Sequence, residues 1–312
     1  MNEFRDKGSP SGLPRNLRRF PWGPPDTFLG VPAAEFPFED CSVVVLPVPY
    51  EATVSYGTGT RLGPRAIIHA SKFLELYDHE SDTEPYEVGI HTLPELVLPD
   101  SGPADALKDL KGVMDCLTET GKFVVLLGGE HSVSGPAILA HADRIPEGEL
   151  SVLQLDAHTD LREEYEGTPL SHACAMHMVH ERVNLVPVGV RSMTLAERNL
   201  VRDRNIPVMF GHELGSDGWI ERVVNALGDT VYVTVDIDYF DPSIMPSTGA
   251  PEPGGGEWYA TLALLEKVFS QKNVVGCDVV ELAPTPGIAA PDVLAAKLVY
   301  KLVSFFAYNR GR

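Results

Sequence analysis

The chain has 312 residues, of which 25 are Lys or Arg and 44 are Asp or Glu, for a formal charge of −19. A body this anionic repels phosphate backbones and lipid headgroups and concentrates small cations, so neither nucleic acid nor a membrane is an expected partner. Its 44% hydrophobic content suffices for a large core, and no apolar stretch reaches the ~20 residues of a membrane span.

Residues 1–40 are rich in Pro, Gly and Arg without a clear period and read as an extended N-terminal arm; residues 41–312 read as a single α/β domain. Within that domain the strand candidates are 42–48, 123–128, 150–155, 184–190, 207–210, 230–237 and 274–282. The expected helices are 63–77, 106–120, 194–204, 219–227, 257–270 and 291–307. In the second helix Leu107, Leu110, Val113, Met114 and Leu117 recur at helical spacing before Gly121. The acidic run from Asp78 to Glu87 reads as a solvated connection. Strand–helix alternation of this kind predicts a three-layer α/β/α fold around a mostly parallel sheet, with ligands beyond the carboxyl ends of the strands. Four cysteines without a C-x-x-C pair suit a reducing, cytoplasmic setting.

Three strand ends carry the chemistry. Leu153-Gln154-Leu155 runs into Asp156-Ala157-His158-Thr159-Asp160, with a potential ligand at every second position. Alternate side chains of extended backbone share a face, so all three can converge. Thr234-Val235 runs into Asp236-Ile237-Asp238, and Leu127 is followed by Gly128-Gly129-Glu130-His131-Ser132. Bare carboxylates at such density raise one another's pKa and oppose ionisation. Four Asp charges are balanced by two divalent cations, so a paired-metal centre performing metal-assisted hydrolysis is expected. Oxygen-rich ligands with two imidazoles favour Mn²⁺, with Ni²⁺ or Co²⁺ as alternatives. Gly57-Thr58-Gly59 with Gly63 lacks the spacing of a nucleotide loop and reads as a tight turn passing close to the site.

Taken in order, these motifs resemble those of the arginase and agmatinase ureohydrolases, the agmatinase branch above all. Ser55 to Ile67, Thr248 to Gly255 and Asp278-Val279-Val280-Glu281-Leu282-Ala283-Pro284 extend the likeness. The resemblance implies an arginase-like fold and two Mn²⁺ ions, one held by His131, Asp156, Asp160 and Asp236, the other by Asp156, His158, Asp236 and Asp238. It further implies that a metal-bridging hydroxide attacks a guanidinium carbon, that His172 manages a proton, that Glu281 clamps the guanidinium, and that subunits form trimers or hexamers. A planar guanidinium suits a carboxylate accepting two parallel hydrogen bonds, and an imidazole suits proton delivery to a departing amine.

Where an arginase supplies Asn and Ser for an α-carboxylate, this chain has Arg162-Glu163-Glu164-Tyr165-Glu166-Gly167. Glu163 and Glu164 are therefore the candidate contacts for an ammonium tail, which points to agmatine, converted to putrescine and urea. Guanidinobutyrate, guanidinopropionate, arginine and free guanidine are the alternatives. A two-metal phosphoesterase would need cations around the strand-end ligands, and apart from Arg162 those loops are acidic or neutral.

Overall fold

Among the described residues the eight strands are Val43–Val48 (β1), Ile90–Thr92 (β2), Phe123–Gly128 (β3), Leu150–Leu155 (β4), Asn184–Val190 (β5), Met209–Phe210 (β6), Thr230–Asp236 (β7) and Asn273–Val280 (β8). They form one sheet in the order β2-β1-β3-β8-β7-β4-β5-β6, and every pairing is parallel. The structure, a computed structural model, describes residues 26–310; the first 25 residues of the expected arm lie outside that range. The rest of that stretch does not all run free of the fold, because Phe28 and Leu29 are fully buried in the core.

Among the described residues seven α-helices cover the sheet: Gly63–Ser71 (α1), Pro103–Thr118 (α2), Ser134–Ala142 (α3), Leu195–Asp203 (α4), Trp219–Ala226 (α5), Trp258–Gln271 (α6) and Ala290–Arg310 (α7). Successive strand residues point to opposite faces, so each central strand feeds two cores and reads as an unbroken apolar run. Val43 and Val45 join α1, α5, α6 and α7 on one side. Val44 and Leu46 join α2, α3 and α4 on the other. None of the helices among the described residues is long and apolar enough to cross a membrane.

Beyond the arm, the structure departs from the sequence expectations in four places. Helix α3 is not among the clearest helices of the sequence; its Gly135 and Pro136 fall in the first turn, where backbone N–H groups lack helical partners anyway. Strand β2 is only three residues long at the sheet edge, too short to show a period. Helix α1 stops at Ser71 rather than running to 77, because the chain turns to bury Leu74 and Leu76. Asp78 is not solvated. It is buried against Lys301 Nζ (2.8 Å) and Ser304 Oγ (2.7 Å) on α7, where the enclosed ammonium requires a counter-charge.

Candidate metal centre

Strands β3, β8, β7 and β4 are sheet neighbours, and their register aligns Leu127, Val279, Val235 and Leu155 in one row. The residues after that row leave the sheet at a common level. Asp156 follows β4, Asp236 closes β7, Glu281 follows β8, and His131 lies just beyond β3. Glu281 sits on left-handed backbone at φ 65°, as does Asp160, four residues beyond Asp156, at φ 52°. Such strain in non-glycine residues is held by surrounding structure and concentrates at functional sites.

The six expected ligands converge. His131 Nδ1 lies 2.8 Å from Asp160 Oδ2, 3.2 Å from Asp156 Oδ2 and 3.3 Å from Asp236 Oδ2. His158 Nδ1 lies 2.9 Å from Asp238 Oδ2 and 3.6 Å from Asp156 Oδ1. Two triads have the compactness of a cation site, His131–Asp156–Asp236 and Asp156–His158–Asp238, and Asp156 belongs to both. Although it is ringed by carboxylates, the buried His131 Nδ1 has no hydrogen bond of acceptable geometry. An orphaned imidazole nitrogen among acids is the donor set of a hard or borderline divalent cation, so the residues fit a metal.

A shell of hydrogen bonds fixes four of the six candidate ligands. His131 Nε2 lies 2.9 Å from Thr234 Oγ1, which donates to Asp278 Oδ1 at 2.6 Å. The hydroxyl proton is thus committed to Asp278, so Nε2 keeps a proton and Nδ1 is the nitrogen turned to the cluster, where a cation would take the place of a proton. Asp156 accepts from Gln154 Nε2 (2.8 Å) and from the His158 amide (2.6 Å). Asp236 accepts from the Asp238 amide (2.9 Å), and Asp238 from the Ala157 amide (3.0 Å). The Arg191 guanidinium donates to the carbonyls of Asp238 (2.7 Å), Glu252 (3.0 Å) and Gly189 (3.1 Å), clamping the loop after β7 onto β5.

The electrostatics are those of a crowded anionic pocket. Burial pushes the His158 imidazole down, but Asp156 and Asp238 outweigh it and raise the pKa to about 12. The same contest, against three carboxylates, leaves His131 well above its ordinary value. Burial opposes ionisation of Asp156, yet the two imidazoles hold it below the usual carboxylate range. Asp236 is pushed well up by burial and by Asp238 and Asp156; Asp160 rises through burial and Asp156. Bound protons on the two imidazoles supply positive charge that cations would supply instead.

Beside the cluster lies a cavity of about 240 Å³, lined among others by His158, Asp160, Asp236, Asp238, His172 and Glu281. Glu281 Oε1 accepts from the His131 amide at 2.7 Å, and burial drives its carboxyl well up. His172 opens a single helical turn, Ser171 capping it through the Ala173 amide. From the loop after Asp160, Arg162 and Tyr165 line the cavity, the guanidinium 4.7 Å from the ring centroid. Glu163 and Glu164 are exposed and are not among the lining residues. The expected close approach of the glycine turn is present: the Gly57 amide donates to Gly249 O (3.0 Å), and a Cβ on Gly57 would meet that oxygen at 2.7 Å.

Sequence reasoning did not single out Thr53, Gln154, Arg191 or Thr234. Asp278 and Glu130 stand inside the quoted motifs without an assigned role. A buried acid within a motif was their available signal; for Thr53 and Arg191 no local pattern existed.

A parallel sheet with acids and imidazoles gathered at its carboxyl edge is an α/β scaffold able to hold a metal there. The chain belongs to the arginase family, whose domain matches residues 41–304. It is 39% identical to N(1)-aminopropylagmatine ureohydrolase of Synechocystis over 88% of this chain and 92% of that one. Against agmatinase of Bacillus anthracis the identity is 36%, covering 79% and 85%. The agmatine ureohydrolase of Thermoplasma volcanium superposes with a TM-score of 0.80 at 25% identity, covering 88% and 92%. The chain is thus a ureohydrolase of the arginase family.

Proposed function

We propose that this chain hydrolyses the guanidinium of an aminoalkyl guanidine to urea and the free amine, with N(1)-aminopropylagmatine as substrate ahead of agmatine. The observation that carries the hydrolytic reading is the pair of interlocked triads sharing Asp156, beside a cavity that also holds Glu281 and His172. The order of substrates rests on the relatives, because the cavity lining sets Arg162 against the acids.

His131, Asp156, Asp160 and Asp236 would hold one divalent cation, and Asp156, His158, Asp236 and Asp238 a second, with Mn²⁺ the first choice on ligand hardness. Bound there, the ions supply charge neutralisation and water acidified for attack at the guanidinium carbon. Glu281 Oε1 is already engaged by the His131 amide, so Oε2 is the oxygen free to orient a guanidinium N–H. His172, in the cavity wall, delivers a proton to the departing nitrogen as the C–N bond breaks. One water is consumed, and the guanidinium charge leaves on the product ammonium. Cys41, Cys116, Cys174 and Cys277 are all free thiols, in keeping with a cytoplasmic enzyme.

The test is urea release by Mn²⁺-loaded protein from N(1)-aminopropylagmatine, agmatine, arginine, guanidinobutyrate, guanidinopropionate and guanidine. Urea with the highest kcat/KM on N(1)-aminopropylagmatine is expected. Urea from guanidino acids alone would overturn the amine-tail assignment, and none from any of them would overturn the hydrolysis.

A further inference from the structure

Next to the metal cluster, but not part of it, a carboxylate is buried whose partners lead to His172. Glu130 is fully buried and accepts four hydrogen bonds: Oε2 from the amides of Ala52 (2.6 Å) and Thr53 (2.7 Å), Oε1 from Thr53 Oγ1 (2.7 Å) and Ser132 Oγ (2.6 Å). Thr53 lies in the loop after β1, and its Oγ1 in turn accepts from the His172 amide at 3.0 Å and lies 3.3 Å from His172 Nδ1.

A hydroxyl has one proton and two lone pairs, whereas an ionised carboxylate only accepts. The Thr53 proton is therefore spent on Glu130, and its oxygen can only accept from His172. The second neighbour of Nδ1, Ser171 Oγ at 3.2 Å, accepts from the Ala173 amide and keeps its proton and a lone pair, so it can serve either tautomer and leaves the choice to Thr53. Tyr165 packs its ring edgewise on the imidazole, with centroids 5.7 Å apart, and restrains the ring plane.

We infer that Thr53, anchored by Glu130, is a positioning residue that fixes the His172 tautomer with the proton on Nδ1, leaving Nε2 as the nitrogen that exchanges a proton with substrate. Glu130 and His131 are consecutive, one facing the Thr53 loop and the other the cluster, so a single turn after β3 sets both the proton carrier and a candidate metal ligand. The inference rests on the reading of His172 as proton carrier for its consequence in turnover, but not for the tautomer itself.

The experiment combines ¹⁵N-histidine NMR of the full-length protein with steady-state kinetics of Thr53→Val, Thr53→Ser, His172→Ala and the Thr53→Val/His172→Ala double variant, each checked for metal content and thermal unfolding. The His172 signals, assigned by their loss in His172→Ala, are expected to show a protonated Nδ1 in the wild type and in Thr53→Ser, and a tautomer mixture in Thr53→Val. Thr53→Val should lower kcat roughly 10- to 100-fold, the usual cost of losing an outer hydrogen-bond partner, with KM and metal content little changed. Thr53→Ser should restore most of it. In the His172→Ala background, Thr53→Val should cost nothing further. A protonated Nε2 in the wild type, or unchanged His172 signals in Thr53→Val, would overturn the inference, as would full additivity in the double variant. Undiminished turnover of His172→Ala would instead remove His172 from the chemistry, with the NMR result still deciding the role of Thr53.

Discussion

Replacing Asp156 by Asn changes one oxygen for an NH₂ group at the point common to both triads. In the native protein one carboxylate oxygen accepts from the His158 amide at 2.6 Å and the other from Gln154 Nε2 at 2.8 Å. Whichever way the amide turns, an acceptor becomes a donor facing a donor, and one negative charge between two cation sites is lost. A buried donor left unpaired costs about 1–3 kcal/mol, a roughly 5- to 150-fold loss of affinity at each site. With free metal at about 100 times the wild-type Kd, binding stabilises the fold by about 2.7 kcal/mol per ion; a 100-fold weaker site retains about 0.4 kcal/mol. Equilibrium dialysis followed by elemental analysis, with melting curves in Mn²⁺ and in chelator, reads both quantities. Asp156→Asn should lose bound metal, most of the metal-induced rise in Tm, and turnover. Asp241→Asn is the control: that side chain accepts from the Ser243 amide and belongs to neither triad, so metal content should be unchanged. An Asp156→Asn protein with wild-type metal content and metal-induced Tm shift would refute the shared-ligand reasoning.

His172→Ala should keep its metal and slow turnover roughly 10²–10⁴-fold, the size of a general acid contribution; equal kcat in the two proteins would speak against the assigned role. Glu281→Gln should raise KM for a guanidino amine more than it changes metal content, because Oε2 is the free oxygen of that carboxylate, and an unaltered kcat/KM would place it outside substrate binding. Metal affinity should rise with pH. The folded pKa of His158, raised to about 12 by Asp156 and Asp238 against the opposing effect of burial, lies above its unfolded value of about 6.5. The paired imidazolium therefore favours the metal-free fold fully below pH ~6.5, and that stabilisation is lost as pH rises toward 12. Ligation must displace the proton. Calorimetry in buffers of different ionisation enthalpy at pH 7 should detect proton release on Mn²⁺ binding; no release, or weaker binding between pH 7 and 9, would contradict this.

The ligands were legible because each group is written in a few consecutive residues after an apolar run, where the period of extended backbone alone says which side chains share a face. Asp156, His158 and Asp160 needed no knowledge of the partner strands. The register that brings β3, β8, β7 and β4 to one level is a property of pairing between distant segments, and the sequence carried only its consequence. The devices that orient the ligands are harder to read. Thr53 is an unremarkable loop threonine until Glu130 and His172 are beside it, and Arg191 shows its role only once carbonyls from β5, the turn after β7 and Glu252 surround its guanidinium. Asp78 shows the converse: within an acidic run its burial depends on Lys301, more than 200 residues away. Glu163 and Glu164 were read from charge alone, and backbone geometry turned Arg162 and Tyr165 of the same loop toward the cavity.

The most direct measurement is anomalous diffraction at the manganese edge from crystals grown with Mn²⁺. Two peaks ~3.5–4 Å apart, both within bonding distance of Asp156, with His131 on one and His158 on the other, are predicted. A single peak, or none among these side chains, would contradict a paired-cation hydrolase.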